Sequence, residues 1–151
     1  MPASKTASVA LAASIALLAA CTTLPKEVEP LAGSSWRLVE IQSMDDSQGT
    51  ARPSNRDRYT VEFNPDGTAY MQLDCNRGRA PWKAERTGDD QGTLEFGNIA
   101  STMAMCPPES LGEKLGQQLG FVRSWVIRDG QLNMSLMADG GIIVWERTSS
   151  K

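Results

Sequence analysis

The chain has 151 residues, with 15 Lys and Arg against 18 Asp and Glu and a net charge of -3. That balance lacks the basic footprint a nucleic-acid binder needs. There is no histidine, which removes the commonest metal ligand and the commonest general base, and with them Ser-His-Asp and Cys-His nucleophiles.

The first element is an apolar run over residues 9–18, behind a short head that carries Lys5. It closes on Leu18-Ala19-Ala20-Cys21. A positive head, an apolar stretch and small residues before a cut site make a secretory signal. The run is too short and too rich in alanine for a transmembrane helix, which needs roughly 20 apolar residues. A cysteine directly after the small residues resembles the lipobox of bacterial lipoproteins. The resemblance implies cleavage before Cys21, lipidation of Cys21 and a membrane anchor of three acyl chains; one chain alone holds a protein only marginally. Thr22 in place of aspartate implies transport to the outer membrane of a bacterial envelope, with the domain facing the periplasm. The expected division is a signal peptide over 1–20, a lipidated N-terminus and tether over 21–34, and one folded domain over 35–148.

The three cysteines fit that location. Lipid takes Cys21, and an even pair in an oxidising compartment predicts a Cys75–Cys106 disulfide, the alternative being two buried free thiols. A thiol enzyme is disfavoured, because the sequence has no CxxC and no histidine to activate either cysteine.

Within the domain, residues 36–41 are rich in β-branched and aromatic side chains and predict a strand. Residues 44–58 are polar and predict a long exposed loop. Tyr59, Val61 and Phe63 alternate on one face of a strand over 59–63. Asn64-Pro65-Asp66-Gly67 is a turn. A return strand over 68–74 places Ala69, Met71, Leu73 and Cys75 on one face, which turns Cys75 inward. Short strands follow over 81–85, carrying Trp82, and over 93–96. Pro107-Pro108-Glu109 opens a helix with Leu111, Leu115, Leu119 and Val122 as its apolar stripe. Gly112, Gly116 and Gly120 recur every fourth residue. Among polar neighbours such as Glu113 and Gln117 they predict close packing on a sheet rather than a dimer face in lipid. Strands over 124–128, 131–137 and 142–147 complete the chain, the first two joined by the tight turn Asp129-Gly130. The fold class is α+β: mainly antiparallel β, a small helix-interrupted (cracked) barrel with one main helix.

Two segments carry a family resemblance. Asp74-Cys75-Asn76-Arg77-Gly78 and the run from Leu94 through Ser101-Thr102-Met103-Ala104-Met105-Cys106-Pro107 resemble the core of META domains, the HslJ-type bacterial lipoprotein family. The closing strands fit as well, so the likeness spans about residues 31–148. Here Met103 stands where the family often has a basic residue, and Gly78-Arg79 where it commonly has an aromatic. The resemblance implies an envelope lipoprotein or secreted protein without a defined reaction, in a family linked to heat shock, novobiocin resistance, secretion and motility. It also implies likeness to the cracked barrels of secretion pilot lipoproteins, which can hold acyl tails.

Candidate sites have plainer readings beside them. Arg77, Arg79, Trp82, Lys83 and Arg86 form the densest basic-aromatic cluster and would suit an anionic headgroup or an acidic partner. The plainer reading is a packed Trp82 among solvated cations. Asp45-Asp46 and Asp89-Asp90 could be paired carboxylates, but acids in turns are expected as solvated turn formers. Met103, Met105, Met134 and Met137 could line an adaptable pocket or simply fill the core. No catalytic residue, cofactor or metal is expected. The expected partners are the membrane, through Cys21, and a protein of the envelope. The expected function is a non-enzymatic module for protein interaction or envelope stress and integrity, the alternative being an acyl-chain carrier or a hydrolase-inhibitor lipoprotein.

Overall fold

The computed structural model describes residues 31–148 together with Met1. The expected signal peptide, the lipidation at Cys21 and most of the expected tether lie outside the described residues. Among the described residues ten strands and one α-helix follow in chain order: β1 (Ser34–Gln42), β2 (Thr50–Ala51), β3 (Tyr59–Phe63), β4 (Thr68–Leu73), β5 (Asn76–Gly88), β6 (Gln91–Phe96), β7 (Ala100–Ser101), α1 (Gly112–Leu119), β8 (Val122–Arg128), β9 (Gln131–Leu136) and β10 (Ile142–Arg147). Leu31, at the end of the expected tether, is already buried, and Gly33 N–H donates to the Phe63 carbonyl at 2.6 Å. Residues 31–34 are therefore part of the folded unit.

All pairings are antiparallel. Eight strands form a ring in the order β1-β3-β4-β5-β6-β8-β9-β10, and β10 pairs back onto β1 from Trp36↔Arg147 to Gln42↔Ile142. The barrel is therefore closed, not cracked. Two features close it. β1 is nine residues long, with an irregularity between Leu38 and Glu40, and pairs with β3 over residues 34–37 on one side and with β10 over residues 36–42 on the other. β6 and β8 meet through three rungs, Gln91↔Val126, Gly92↔Trp125 and Thr93↔Ser124. Gly92 is required there, because a Cβ would strike the Glu85 carbonyl and the Trp125 indole.

Period-two alternation fills the interior. In β5 and β6, Ala80, Trp82, Ala84, Leu94 and Phe96 face inward while Arg79, Lys83, Glu85 and Glu95 face out. Trp36, Trp125 and Trp145 are fully buried. Phe63 meets Trp82 edge-on at 4.9 Å and stacks with Phe96 at 5.9 Å, geometries favoured by the ring quadrupole.

The helix starts later than Pro107-Pro108-Glu109 suggests. Pro108 holds the residue before it out of the helical region, and a turn closes from Ser110 N–H to the Pro107 carbonyl at 2.9 Å. The Ser110 hydroxyl then accepts from Gly112 N–H at 3.1 Å. Val122, expected on the helical stripe, opens β8 instead. α1 lies over the end of the barrel where β3 begins and β4 ends. Leu111 N–H donates to the Tyr59 hydroxyl at 3.1 Å, and Leu115 and Leu119 are fully buried. Gly112 sits directly against the Leu73 carbonyl, where a Cβ would collide. Close packing thus accounts for that glycine. Among the described residues no helix is long and apolar enough to cross a membrane.

Candidate functional site

The site begins where β4 ends. Asp74 adopts φ 62°, a left-handed conformation that an Asp tolerates better than most residues. Its N–H donates to the Arg58 carbonyl at 2.8 Å. Its buried carboxylate lies 2.7 Å from Arg58 Nε, an ion pair in which the N–H is poorly aligned with the oxygen. This reversal turns Cys75 to the exposed side, so the inward placement expected from strand phase is corrected: the strand stops at Leu73 and alternation stops with it. Cys75 forms the disulfide with Cys106, with Cα atoms 5.6 Å apart. The bridge ties the start of β5 to the segment leading into α1.

Asn76 does the rest of the fastening. Its Oδ1 accepts from Ala104 N–H at 2.7 Å and from the Thr102 hydroxyl at 2.9 Å, and its Nδ2 donates to the Ala104 carbonyl at 2.9 Å. Thr102 exchanges two further bonds with Arg77. The Arg77 N–H donates to the Thr102 hydroxyl and the Thr102 N–H donates to the Arg77 carbonyl, each at 3.0 Å. Both halves of the motif thus serve one purpose: Asn76 and Cys75 grip Thr102, Ala104 and Cys106 and hold residues 100–106 against the edge of β5.

That grip leaves Met103 and Met105 94% and 99% exposed. Large apolar side chains displayed this fully on a fastened segment call for a reason. Beside them runs an open groove of about 550 Å³, lined by Leu73, Ile99 and the two methionines together with Glu113 and Gln117 of α1. Met134 is buried inside the barrel and Met137 is half exposed elsewhere, so the structure does not gather the four methionines into one pocket.

The basic cluster divides by strand phase. Arg77, Arg79 and Lys83 are exposed on the outer face of β5, whereas Trp82 is 4% exposed and points into the barrel against Phe63. Trp82 therefore leaves the cluster, because strand alternation sends it to the opposite face. Arg79 lies over the Tyr70 ring at 5.7 Å. Lys83 faces Glu95 across the ladder. Arg77 and Arg79 have no carboxylate within ion-pair distance among the described residues.

The paired acids serve turns. Asp45 accepts from the Ser47 hydroxyl at 2.6 Å and the Ser47 N–H at 2.9 Å, and these bonds to Ser47, with Gln48, hold its carboxyl below the ordinary range. Asp90 takes φ 53° in the turn between β5 and β6. Among the described residues no three His, Cys, Asp or Glu cluster so as to hold a metal ion. Sequence reasoning missed the role of Asn76 and the groove. The available signal was a side-chain amide beside a cysteine whose partner follows a Ser-Thr pair.

The family model for the META domain matches residues 29–149. The chain belongs to the META domain family. Two solved structures share the fold of this META domain. An NMR structure of a protein from Burkholderia xenovorans is 18% identical with a TM-score of 0.62, covering 80% of this chain and 85% of that one. A crystal structure of a DUF4847 family protein from Bacteroides vulgatus is 15% identical with a TM-score of 0.54, covering 82% of this chain and 98% of that one. No curated protein matches the chain.

Proposed function

We propose that this META domain is a non-enzymatic module of the bacterial envelope, anchored by lipid at Cys21, that binds a protein partner through the fastened segment over residues 100–106. One observation carries the reading. Two methionines stand almost fully exposed on a segment that a disulfide and five hydrogen bonds hold in place. Adaptable thioether side chains on a pre-ordered support suit protein recognition, because little order is lost on binding. The lipobox-like Leu18-Ala19-Ala20-Cys21 supports the anchor, and a stapled fold suits an oxidising compartment. The alternative of an acyl chain inside the barrel is not favoured, since Trp36, Trp125, Trp145, Phe63 and Phe96 occupy the interior.

Two experiments test this reading. A photo-crosslinking residue placed at Met105 in producing cells should give a defined adduct with one envelope protein, and the same residue at Asp129, in the turn between β8 and β9, should not. No adduct from position 103 or 105 overturns the partner role. Mass spectrometry of the protein from membranes should find a lipidated N-terminal Cys21; an intact Met1 with unmodified Cys21 overturns the anchor.

A further inference from the structure

We infer that the segment from Ser101 to Met105 is an open β-edge that accepts an extended peptide as an added strand, one that alternates acidic and apolar residues. The inference deepens the proposed protein-binding role and rests on it. In the β5–β7 pair, Arg79 faces Ala100 and Gly78 faces Ser101, and the Thr102 N–H bonds to the Arg77 carbonyl at 3.0 Å. The regular ladder ends at Ser101; beyond it Thr102 keeps its N–H on β5 while its hydroxyl takes the Arg77 N–H in place of its carbonyl, so Ala100 and Thr102 turn toward β5 and Ser101 away. Ala104 continues the pattern through the Asn76 amide, at 2.7 and 2.9 Å. Ser101, Met103 and Met105 are left with their backbone groups facing outward, and the amides and carbonyls of the two methionines have no hydrogen-bond partner among the described residues.

Exposed edges are usually blunted by charge, proline, a bulge or a covering element. Residues 100–106 read Ala-Ser-Thr-Met-Ala-Met-Cys, with neither charge nor proline, and Pro107-Pro108 ends the edge only after the disulfide. The edge is thus unguarded over three outward rungs and pre-ordered, the two properties that strand addition uses.

The two faces of the edge specify the peptide. Ala100, Thr102 and Ala104 are small and share the outer face with Arg77 and Arg79, which have no carboxylate partner among the described residues. An added strand would lie about 10 Å from β5, two strand spacings. Across such small residues an acidic side chain on it would meet the guanidinium of Arg77. On the other face Met103, Met105 and the groove take apolar side chains, and Glu113 on the groove wall repels acids. A slip of one residue would exchange the two sets, so charge fixes the register.

The test uses the full chain purified from its producing cells and a capped probe peptide, Glu-Val-Glu-Ile-Glu-Val-Glu. Titration followed by NMR should shift and protect the amides of Ser101, Met103 and Met105 and spare those of Thr102 and Ala104. Met103→Pro removes one outward N–H, which makes no bond in the free protein, and requires Thr102 to stay extended. It should weaken probe binding about tenfold or more while thermal melting holds. Met103→Ala keeps the N–H and should retain the protection pattern. Arg77→Ala should weaken binding about fivefold, an effect that fades with salt. A probe with Lys in place of Glu should bind more weakly still.

Probe binding unaffected by Met103→Pro, perturbation confined to another surface, or concentration-dependent dimerisation through this edge overturns the inference. A crosslinked partner at position 105 together with no strand addition would remove the edge mechanism alone. Strand addition without any crosslinked partner would remove the cellular role alone.

Discussion

The side-chain amide of Asn76 pairs with the backbone of Ala104 on both sides, accepting from its N–H at 2.7 Å and donating to its carbonyl at 2.9 Å. Asn76 thus acts as one extra peptide group and extends the β5 ladder where the main chain of β5 has already turned away. Asn76→Ala should lower stability by about 1–3 kcal/mol, since each bond contributes about 1 kcal/mol net. The amide of Ala104 should lose its protection in hydrogen exchange. Asn76→Asp keeps the acceptor and loses the donor, and should fall between wild type and Asn76→Ala in the same experiment.

Removing the disulfide tests how much of the fold depends on it. The Cys75–Cys106 bridge spans 31 residues, and the loop-entropy model gives about 3–4 kcal/mol for such a loop. Cys75→Ala with Cys106→Ala should lower the denaturation midpoint accordingly. The remainder of the barrel ladder should survive, as judged by exchange in β9 and β10.

The helix glycines should respond in opposite directions. Gly112→Ala places a methyl on the Leu73 carbonyl and should cost about 1–3 kcal/mol by overpacking. Gly120 has ordinary helical angles and its nearest contact is 3.5 Å away. Gly120→Ala should therefore gain about 0.4–1 kcal/mol by restricting the unfolded chain. Paired thermal melts would check both signs.

Mild peroxide should separate the methionines by exposure. Met103 and Met105 should convert to sulfoxides first, while Met71 and Met134, buried in the core, should persist until the protein unfolds. Peptide mapping with time would read the order.

The loop between β1 and β2 should respond to acid. The bonds from Ser47 and Gln48 favour the ionised form of Asp45, so its carboxyl is depressed. A depressed carboxyl contributes fully above its unfolded value and loses that contribution as pH falls through the folded one. The Ser47 amide should therefore stay protected through the ordinary carboxylate range and lose protection only at lower pH. Asp45→Asn should abolish this pH dependence.

Strands with one wet and one dry face were legible from residue order. Tyr59, Val61 and Phe63 alternate without interruption, and the observed bounds of β3 match the pattern. β5 was harder to see, because Pro81 breaks the reading in its middle. Pro81 lies where β5 exchanges β7 for β6 as its partner, and Gly97 leaves room for the proline ring. Ring closure was not legible, since it depends on register between residues about a hundred positions apart. The disulfide partners could be named from cysteine count and an expected export. The fastening by Asn76 could not, because a side-chain amide has no periodicity to betray its partner.

The union of β1 with β10 bears on how the molecule is made. Trp36 lies opposite Arg147, and Arg37 Nε donates to the Glu146 carboxylate at 2.8 Å across 109 positions. A ribosome releases the first of these strands long before the last exists. A product that stops short of the final strand leaves the outer margins of β1 and β9 raw, open to pairing with other chains.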